Sequence, residues 1–231
     1  MNIGIIGAGN IGSALTRRFT DVGHHVRVAN ATGPESLRAL AAETGATPVT
    51  VPEAVRDVDV VVVTIPEANI PQLPHDLFKD VDPRVVVVDT GNYYPRQRDG
   101  RIAAIEDGLT ESRWVSEQLH RSVIKAFNTM YAEHLLNLGK PAGTPGRFAL
   151  PVAGDDPAAK GVVMKLIDEI GFDAVDDGTL DESWRQQPGS PVYTHDYDVE
   201  QLRRGLADAK PGRAPEWTAT ASSPGTFEAP V

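Results

Sequence analysis

The opening segment MNIGIIGAGNIGSALTRRFTDV constrains this chain more than any other stretch. Asn2 to Ile6 is a short apolar run that reads as a buried strand. Gly7, Gly9 and Gly12 follow in the spacing G-x-G-x-x-G. Ile11, Ala14, Leu15, Phe19 and Val22 then fall on one helical face, so the glycines open a helix. GHHVRVAN supplies a second strand and completes a βαβ unit. In that context the glycine spacing is a strong mark of dinucleotide binding, whereas alone it is weak. Gly7 permits the tight turn, Gly9 lets a pyrophosphate approach the backbone, and Gly12 allows close helix–strand contact. Free N–H groups at the helix start attract the pyrophosphate charge. Gly7, Ala8, Gly9, Asn10, Ile11 and Gly12 are therefore assigned to the cofactor.

An acid at the end of the second strand would bind the ribose 2′-hydroxyl of NAD and repel a 2′-phosphate. Here the strand ends on Asn30, and the turn that follows, Ala31 to Pro34, carries no acid. Asn30 does not repel a phosphate, and Thr32 offers a hydroxyl. Pro34 suits a first helical position, which leaves the next N–H groups free to face an anion. Glu35 works the other way, as a first-turn acid. The reading favours NADP (NADPH), with Asn30 and Thr32 in the phosphate site. An ordinary turn that discriminates nothing is the alternative.

The alternation continues through ATPVTV, DVDVVVVTIP, RVVVVDTG, SVIKAF, RFALPVAG and FDAVDDG as strands three to eight. Unbroken Val runs suit strands covered on both faces. Helices are expected over 35–44, 111–119, 129–138, 157–170 and 199–209. The fold class is thus α/β, a doubly wound Rossmann-type, mostly parallel sheet with a small C-terminal elaboration. Residues 1–179 form the dinucleotide-binding domain, 180–209 a helical elaboration, and 210–231, rich in Pro, Ala, Ser, Thr and Gly, a flexible tail.

Composition removes several function classes. A formal charge of −10 argues against nucleic-acid partners. The absence of cysteine excludes disulfides and thiol nucleophiles, and the six histidines show no metal-ligand spacing. No apolar run has the length of a membrane span, and no signal peptide precedes the first strand, so a cytoplasmic protein without membrane contact is expected.

Ligands of such sheets bind beyond the carboxyl ends of the strands. Ile65 and Pro66 follow the fourth strand, Asn92, Tyr93 and Tyr94 the fifth, and Asn128 and Met130 the sixth. Asn92 and Asn128 are read either as ligand contacts or as turn and cap residues. Tyr93 and Tyr94 suit lid or core equally. Lys125 is read as a strand residue snorkelling at the sheet's end. The cleft offers no obvious acid–base pair. That suits hydride transfer between two stacked rings and is awkward for ketone reduction.

The segments IGIIGAGNIGSAL, DTGNYYPRQRDGRI, VIKAFNTM and LPVAGDD…AAKGVVMKLIDEIGFDAVDDGTL resemble the NADP oxidoreductases dependent on the deazaflavin coenzyme F420, up to about Ala209. The resemblance implies one Rossmann domain, a homodimer, and hydride exchange between NADPH and F420 or another flat small-molecule acceptor such as a flavin. Relatives often place a Ser-Arg pair after the second strand, where this chain has Ala31 and Thr32. Arg38, one turn into the helix, partly replaces that arginine or is a solvated face residue. Beta-hydroxyacid dehydrogenases need a long helical second domain, so their catalytic lysine is not carried over to Lys125, and no Y-x-x-x-K pair is present.

Acceptor binding is assigned to Asn92, Tyr93, Arg96, Arg98 and Arg101, the arginines forming either a guiding basic patch or a solvated loop. Leu180, Trp184, Val192, Tyr193, Tyr197, Leu202 and Leu206 suit a dimer interface or a cover for their own subunit's sheet. A non-catalytic NADP(H)-binding sensor is the second functional reading.

Overall fold

A computed structural model describes residues 1–231. The elements run β1 (Asn2–Ile6), α1 (Asn10–Asp21), β2 (His25–Ala29), α2 (Arg38–Thr44), β3 (Thr47–Pro48), α3 (Val51–Ala54), β4 (Val60–Val63) and β5 (Val86–Asp89). There follow α4 (Ala103–Glu106), α5 (Glu111–Leu119), β6 (Ile124–Lys125), α6 (Ala132–Asn137), β7 (Ala149–Val152), α7 (Pro157–Glu169), β8 (Asp173–Asp176) and α8 (Val199–Asp208). Six strands form one parallel sheet in the order β3-β2-β1-β4-β5-β6, the order of the Rossmann fold.

The Val runs explain the layering. Successive residues of a strand face opposite sides of the sheet. Val60 and Val62 of β4 pack with Leu15 and Phe19 of α1 and with Val163 and Leu166 of α7. Val61 and Val63 pack with Ala54 of α3 and Trp114 and Val115 of α5. Both faces are covered, so every strand position of β4 and β5 is buried.

Strands seven and eight were expected in the same sheet. They form a parallel pair of their own, joined to the main sheet only by an antiparallel bridge between Lys125 and Ala153. β6 is two residues long, and the pairing with β5 ends with the Ala126 N–H donating to the Asp89 carbonyl, just before Phe127 adopts φ 65°.

The segment after β8 does not leave its apolar residues on the surface. Leu180 joins the core beside α5, and Val192, Leu202 and Leu206 pack on Ala149 and Val175 of the small sheet. These four cover their own subunit, which withdraws them from the dimer interface suggested by sequence. Residues 210–231, expected to be a flexible tail, lie across the main domain instead. Arg213 pairs with Glu111, and Arg96 donates to the carbonyls of Pro215 and Thr218 at 2.6 and 2.9 Å. No helix is long and apolar enough to cross a membrane.

Candidate active site

The glycine loop is held by contacts that a side chain would break. Gly7 has φ +111° and donates its N–H to Ala29 at 2.8 Å, and a Cβ there would strike the Thr64 carbonyl. Gly12 rests on the Gly7 carbonyl in the same way. Gly9 differs: a Cβ there would meet no protein atom within 4 Å. The packing of the fold sets no need for a glycine at this position, which opens onto free space at the start of α1. Helix α1 begins directly after Gly9 with no side-chain cap and no acid in its first turn. Its unpaired N–H groups and positive dipole end fit a pyrophosphate.

Asn30 stands at the carboxyl end of β2, beside the loop. Its side-chain oxygen accepts from the Thr32 N–H and hydroxyl, both at 3.1 Å, and its amide donates to the Ser36 hydroxyl at 2.9 Å. The three residues make a small exposed polar cluster. Ser36, whose side chain the sequence reading passed over, belongs to it. No arginine enters the cluster, for Arg38 pairs with Glu35 in solvent. Asn30 and Thr32 lie beyond the carboxyl end of β2 and do not line the main cleft.

That cleft encloses about 400 Å³ beyond the carboxyl ends of β1, β4, β5 and β6. Gly9, Asn10 and Ile11 line one end, and Ile65, Pro66, Asn92, Asn128 and Arg98 come together along it. Asn92 and Asn128 bind each other: the Asn92 amide donates to the Asn128 carbonyl at 3.0 Å, and the Asn128 amide to Asn92 Oδ1 at 3.1 Å. Neither caps a helix, since Tyr131 precedes α6 and Tyr94 precedes the helical turn Pro95–Asp99. The Asn128 amide also donates to the Gln186 carbonyl at 2.7 Å, which fixes its orientation and leaves Oδ1 buried without a partner. A buried unpaired acceptor costs stability and suits a ligand N–H. Two non-glycine residues with positive φ flank this group, Phe127 at 65° and Thr194 at 60°. Their cost, on the order of 1–3 kcal/mol each, is the type found where function dictates backbone aim.

Beneath the cleft lies a charged floor that sequence reasoning missed. Lys125 has no solvent exposure; it donates to the Gly91 carbonyl at 2.5 Å and pairs with Asp89 at 3.2 Å. It does not snorkel, because the small sheet and its bridge cover the end of β6. Burial opposes the Lys125 charge, but the surrounding acids, Asp89 foremost, hold its pKa above the ordinary value. Glu67 is equally buried, packs against Gly91, and has no partner on either oxygen. Burial, reinforced by the Asp89 charge, lifts its pKa well above the ordinary 4.5. Glu111 is raised by burial too, and Arg213 opposes the shift. An acid that ends an apolar strand, as Asp89 does, or sits in the loop that follows one, as Glu67 does, was the available signal, with Lys125 in the strand beside β5 as its complement.

The acceptor residues separate. Tyr93 is wholly buried; its hydroxyl donates to the Gly100 carbonyl at 2.8 Å and contacts Glu106 at 3.0 Å, so it belongs to the core. Its neighbour Tyr94 faces the cleft instead, because alternate residues of an extended segment point opposite ways. The three arginines form no patch. Arg96 is used by the tail, Arg101 lies 3.9 Å from Asp107, and only Arg98 lines the cleft, paired with Asp99 at 2.9 Å. Arg98 also sits over the Tyr94 ring, 4.9 Å from its centroid. Tyr193, Thr194 and Phe227 close the far side. Sequence reading missed all three in this role, because they come from segments distant in the chain.

Residues 2–93 match the family described as NADP oxidoreductase, coenzyme F420-dependent. A stretch of 72 residues is 47% identical to protein YjhV of Escherichia coli K12, covering 31% of this chain and 53%, about half, of that relative's length. Hypothetical protein SMa0349 of Sinorhizobium meliloti is 32% identical, with a TM-score of 0.72 over 85% of this chain and 94% of that one. A candidate F420-dependent NADP reductase from Arthrobacter sp. FB24 is similar in fold at 20% identity, TM-score 0.61, covering 77% and 84%. The 3-hydroxyisobutyrate dehydrogenase of Mycobacterium tuberculosis shares the fold at 18% identity, TM-score 0.57, over 80% of this chain and 57% of its own.

Proposed function

Because the chain belongs to the coenzyme F420-dependent NADP oxidoreductase family, we propose that it passes hydride between NADP(H) and a flat acceptor, coenzyme F420 or a flavin. The observation that carries this reading is the lining of the cleft. It runs from the glycine loop to an aromatic rim and includes one charged side chain, Arg98, with no carboxylate, histidine or lysine. Carbonyl reduction calls for a positioned proton donor. Of the three phenols that line the cleft, Tyr94 and Tyr193 are hydrogen-bonded to each other, and burial holds both pKa values above the ordinary one, while Tyr131 stands exposed to solvent. Hydride exchange between two rings asks chiefly for stacking at the right distance.

In this reading Gly9 to Ile11 and the start of α1 take the pyrophosphate. Asn30 and Thr32, with Ser36, take the 2′-phosphate. Ile65 and Pro66 bound the nicotinamide, and Asn128 Oδ1 accepts from its carboxamide. When bound, the nicotinamide supplies or takes up the hydride. The chain's own groups orient it and exclude water, while the Lys125–Asp89 pair pins the Gly91 carbonyl behind the site.

A non-catalytic sensor would suit a nicotinamide site filled by side chains. Tyr93 is directed away and Met130 leaves the cleft open, which favours the reductase. The test is oxidation of NADPH, and separately NADH, by F420, FMN and quinones with purified protein. Turnover with F420 or FMN supports the proposal; tight NADPH binding without turnover on any acceptor selects the sensor.

A further inference from the structure

We propose that residues 213–229 complete the acceptor half of the cleft, with Phe227 the stacking platform for a planar tricyclic ring bearing an anionic side chain. This rests on the hydride-transfer reading of the cleft and names the part of the chain that receives the second ring.

Three observations carry it. The segment is anchored at several points. Arg213 pairs with Glu111 and donates to the Tyr93 carbonyl at 3.1 Å. Arg96 holds the Pro215 and Thr218 carbonyls, the Ala219 N–H donates to Glu106 at 2.9 Å, and the Gly225 N–H donates to the Arg96 carbonyl at 2.5 Å. These anchors draw on main-domain groups that face the cleft loop, so the segment has a defined place relative to it.

The second observation is where that place puts its rings. Trp217 lies 6.0 Å from both Tyr94 and Tyr193, and Phe227 lies 5.4 Å from Tyr94 at an interplanar angle of 73°. Tyr94 is already engaged by Arg98, Trp217 and Phe227. Phe227 lines the cleft yet stays 60% exposed, so its ring has a face to offer. Aromatic platforms of this sort bind conjugated rings of any sequence or substituent pattern, because the π-face is what they contact.

The third is charge. The chain carries −10 overall, yet the sole charged group lining the cleft is the Arg98 guanidinium, at the aromatic end. Asp99 and the Asn92 carbonyl take its Nε and one terminal nitrogen, which leaves the other terminal nitrogen for an anion. A ring acceptor with a phosphate on its side chain matches that end, whereas a small neutral carbonyl compound has no use for either feature.

The experiment measures FMN and F420 binding to the full chain saturated with NADP+, by quenching of their own fluorescence, in the native protein, Phe227→Ala and Phe227→Tyr. NADP+ affinity is measured separately by calorimetry. The expected result is FMN and F420 binding weakened about twofold to tenfold in Phe227→Ala, restored in Phe227→Tyr, with NADP+ affinity unchanged. Unaltered ring binding in Phe227→Ala would overturn the platform while leaving the hydride-transfer reading intact. Tighter ring binding would overturn it in another way, by showing that the segment obstructs the cleft. If the native protein binds neither FMN nor F420, the flat-acceptor reading fails and this inference fails with it.

Discussion

Arg213→Met removes the cation facing Glu111, a carboxylate with no solvent exposure. Two responses are open to the variant: Glu111 stays charged without a partner, or it takes up a proton. Stranding a buried charge costs about 3–5 kcal/mol. Protonation sets a ceiling on that cost. An acid forced neutral between its ordinary 4.5 and pH 7 loses about 3.4 kcal/mol, at about 1.4 kcal/mol per pH unit. The same ceiling at pH 5 is about 0.7 kcal/mol. In the native protein Glu111 is already raised by burial, so part of this cost is present before the substitution.

The sign follows from linkage. A carboxyl whose folded pKa exceeds its unfolded value leaves stability whole below 4.5 and erodes it as pH rises through the interval up to the folded value. The arginine's removal widens that interval. Its bonds to the Trp217 and Tyr93 carbonyls, at 2.9 and 3.1 Å, go as well, for about 1 kcal/mol each at any pH. The expected loss is about 4 kcal/mol at pH 7 and about 2 kcal/mol at pH 5. In a chain of this size that lowers Tm by about 12 °C and about 6 °C respectively. Thermal unfolding followed by circular dichroism at the two pH values measures it. Arg213→Met combined with Glu111→Leu should recover most of the pH 7 loss, because an apolar pair leaves no charge to strand. An equal drop in Tm at both pH values, or no recovery in the double variant, refutes the reasoning.

Gly9→Ala should leave Tm within a degree or two of native but weaken NADP+ binding tenfold or more (on the order of 1.4 kcal/mol), since its Cβ enters only ligand space. Gly12→Ala, which meets the Gly7 carbonyl, should lower Tm itself; calorimetry and melting curves separate the two, and equal stability loss would contradict the assignment. Glu67→Gln should flatten the pH profile of stability. Native Glu67, among Asp89, Lys125, Glu111 and Asp99, is held well above 4.5, so stability falls as pH rises, and urea titrations should show the variant gaining up to about 4 kcal/mol on native between pH 5 and pH 8. Parallel profiles would show that Glu67 does not titrate there. Native protein should bind NADPH over NADH only modestly, because the Asn30–Thr32–Ser36 cluster holds no cation, and Thr32→Arg should raise the preference about tenfold. Tighter binding of NADH by the native protein would refute this.

The dinucleotide half of the molecule was legible because its constraints are local. A strand, a turn that only glycine can make at Gly7 with φ +111°, and a helix packed through Gly12 lie within twenty residues. Buried parallel strands announce themselves as Val runs whichever sheet they join. For the same reason the run at Ala149–Val152 gave no sign that its strand pairs only with β8, the one bridge to the main sheet lying just beyond it at Ala153. A period in hydrophobicity reports burial, not partners.

The aromatic end of the cleft was hidden for a different reason. Tyr93 and Tyr94 are adjacent and chemically alike, and which of them faces the cleft is decided by an acceptor pair, the buried Gly100 carbonyl and the half-buried Glu106, that awaits one hydroxyl and not the other. The tail's composition is that of a mobile segment, yet its docking depends little on apolar area. It depends on Arg96, which holds two tail carbonyls, and on Arg213, which pairs with the buried Glu111 brought near by the fold. The arginines that look in sequence like a surface patch are thus mostly internal fasteners. Since Arg213 neutralises Glu111 and Glu111 begins the helix packed behind β5, the segment carrying Phe227 is coupled to the strand whose end forms the cleft. Stability of that segment and affinity for the second ring should therefore fall together in Arg213→Met and separately in Phe227→Ala, a contrast that composition alone gives no means to foresee.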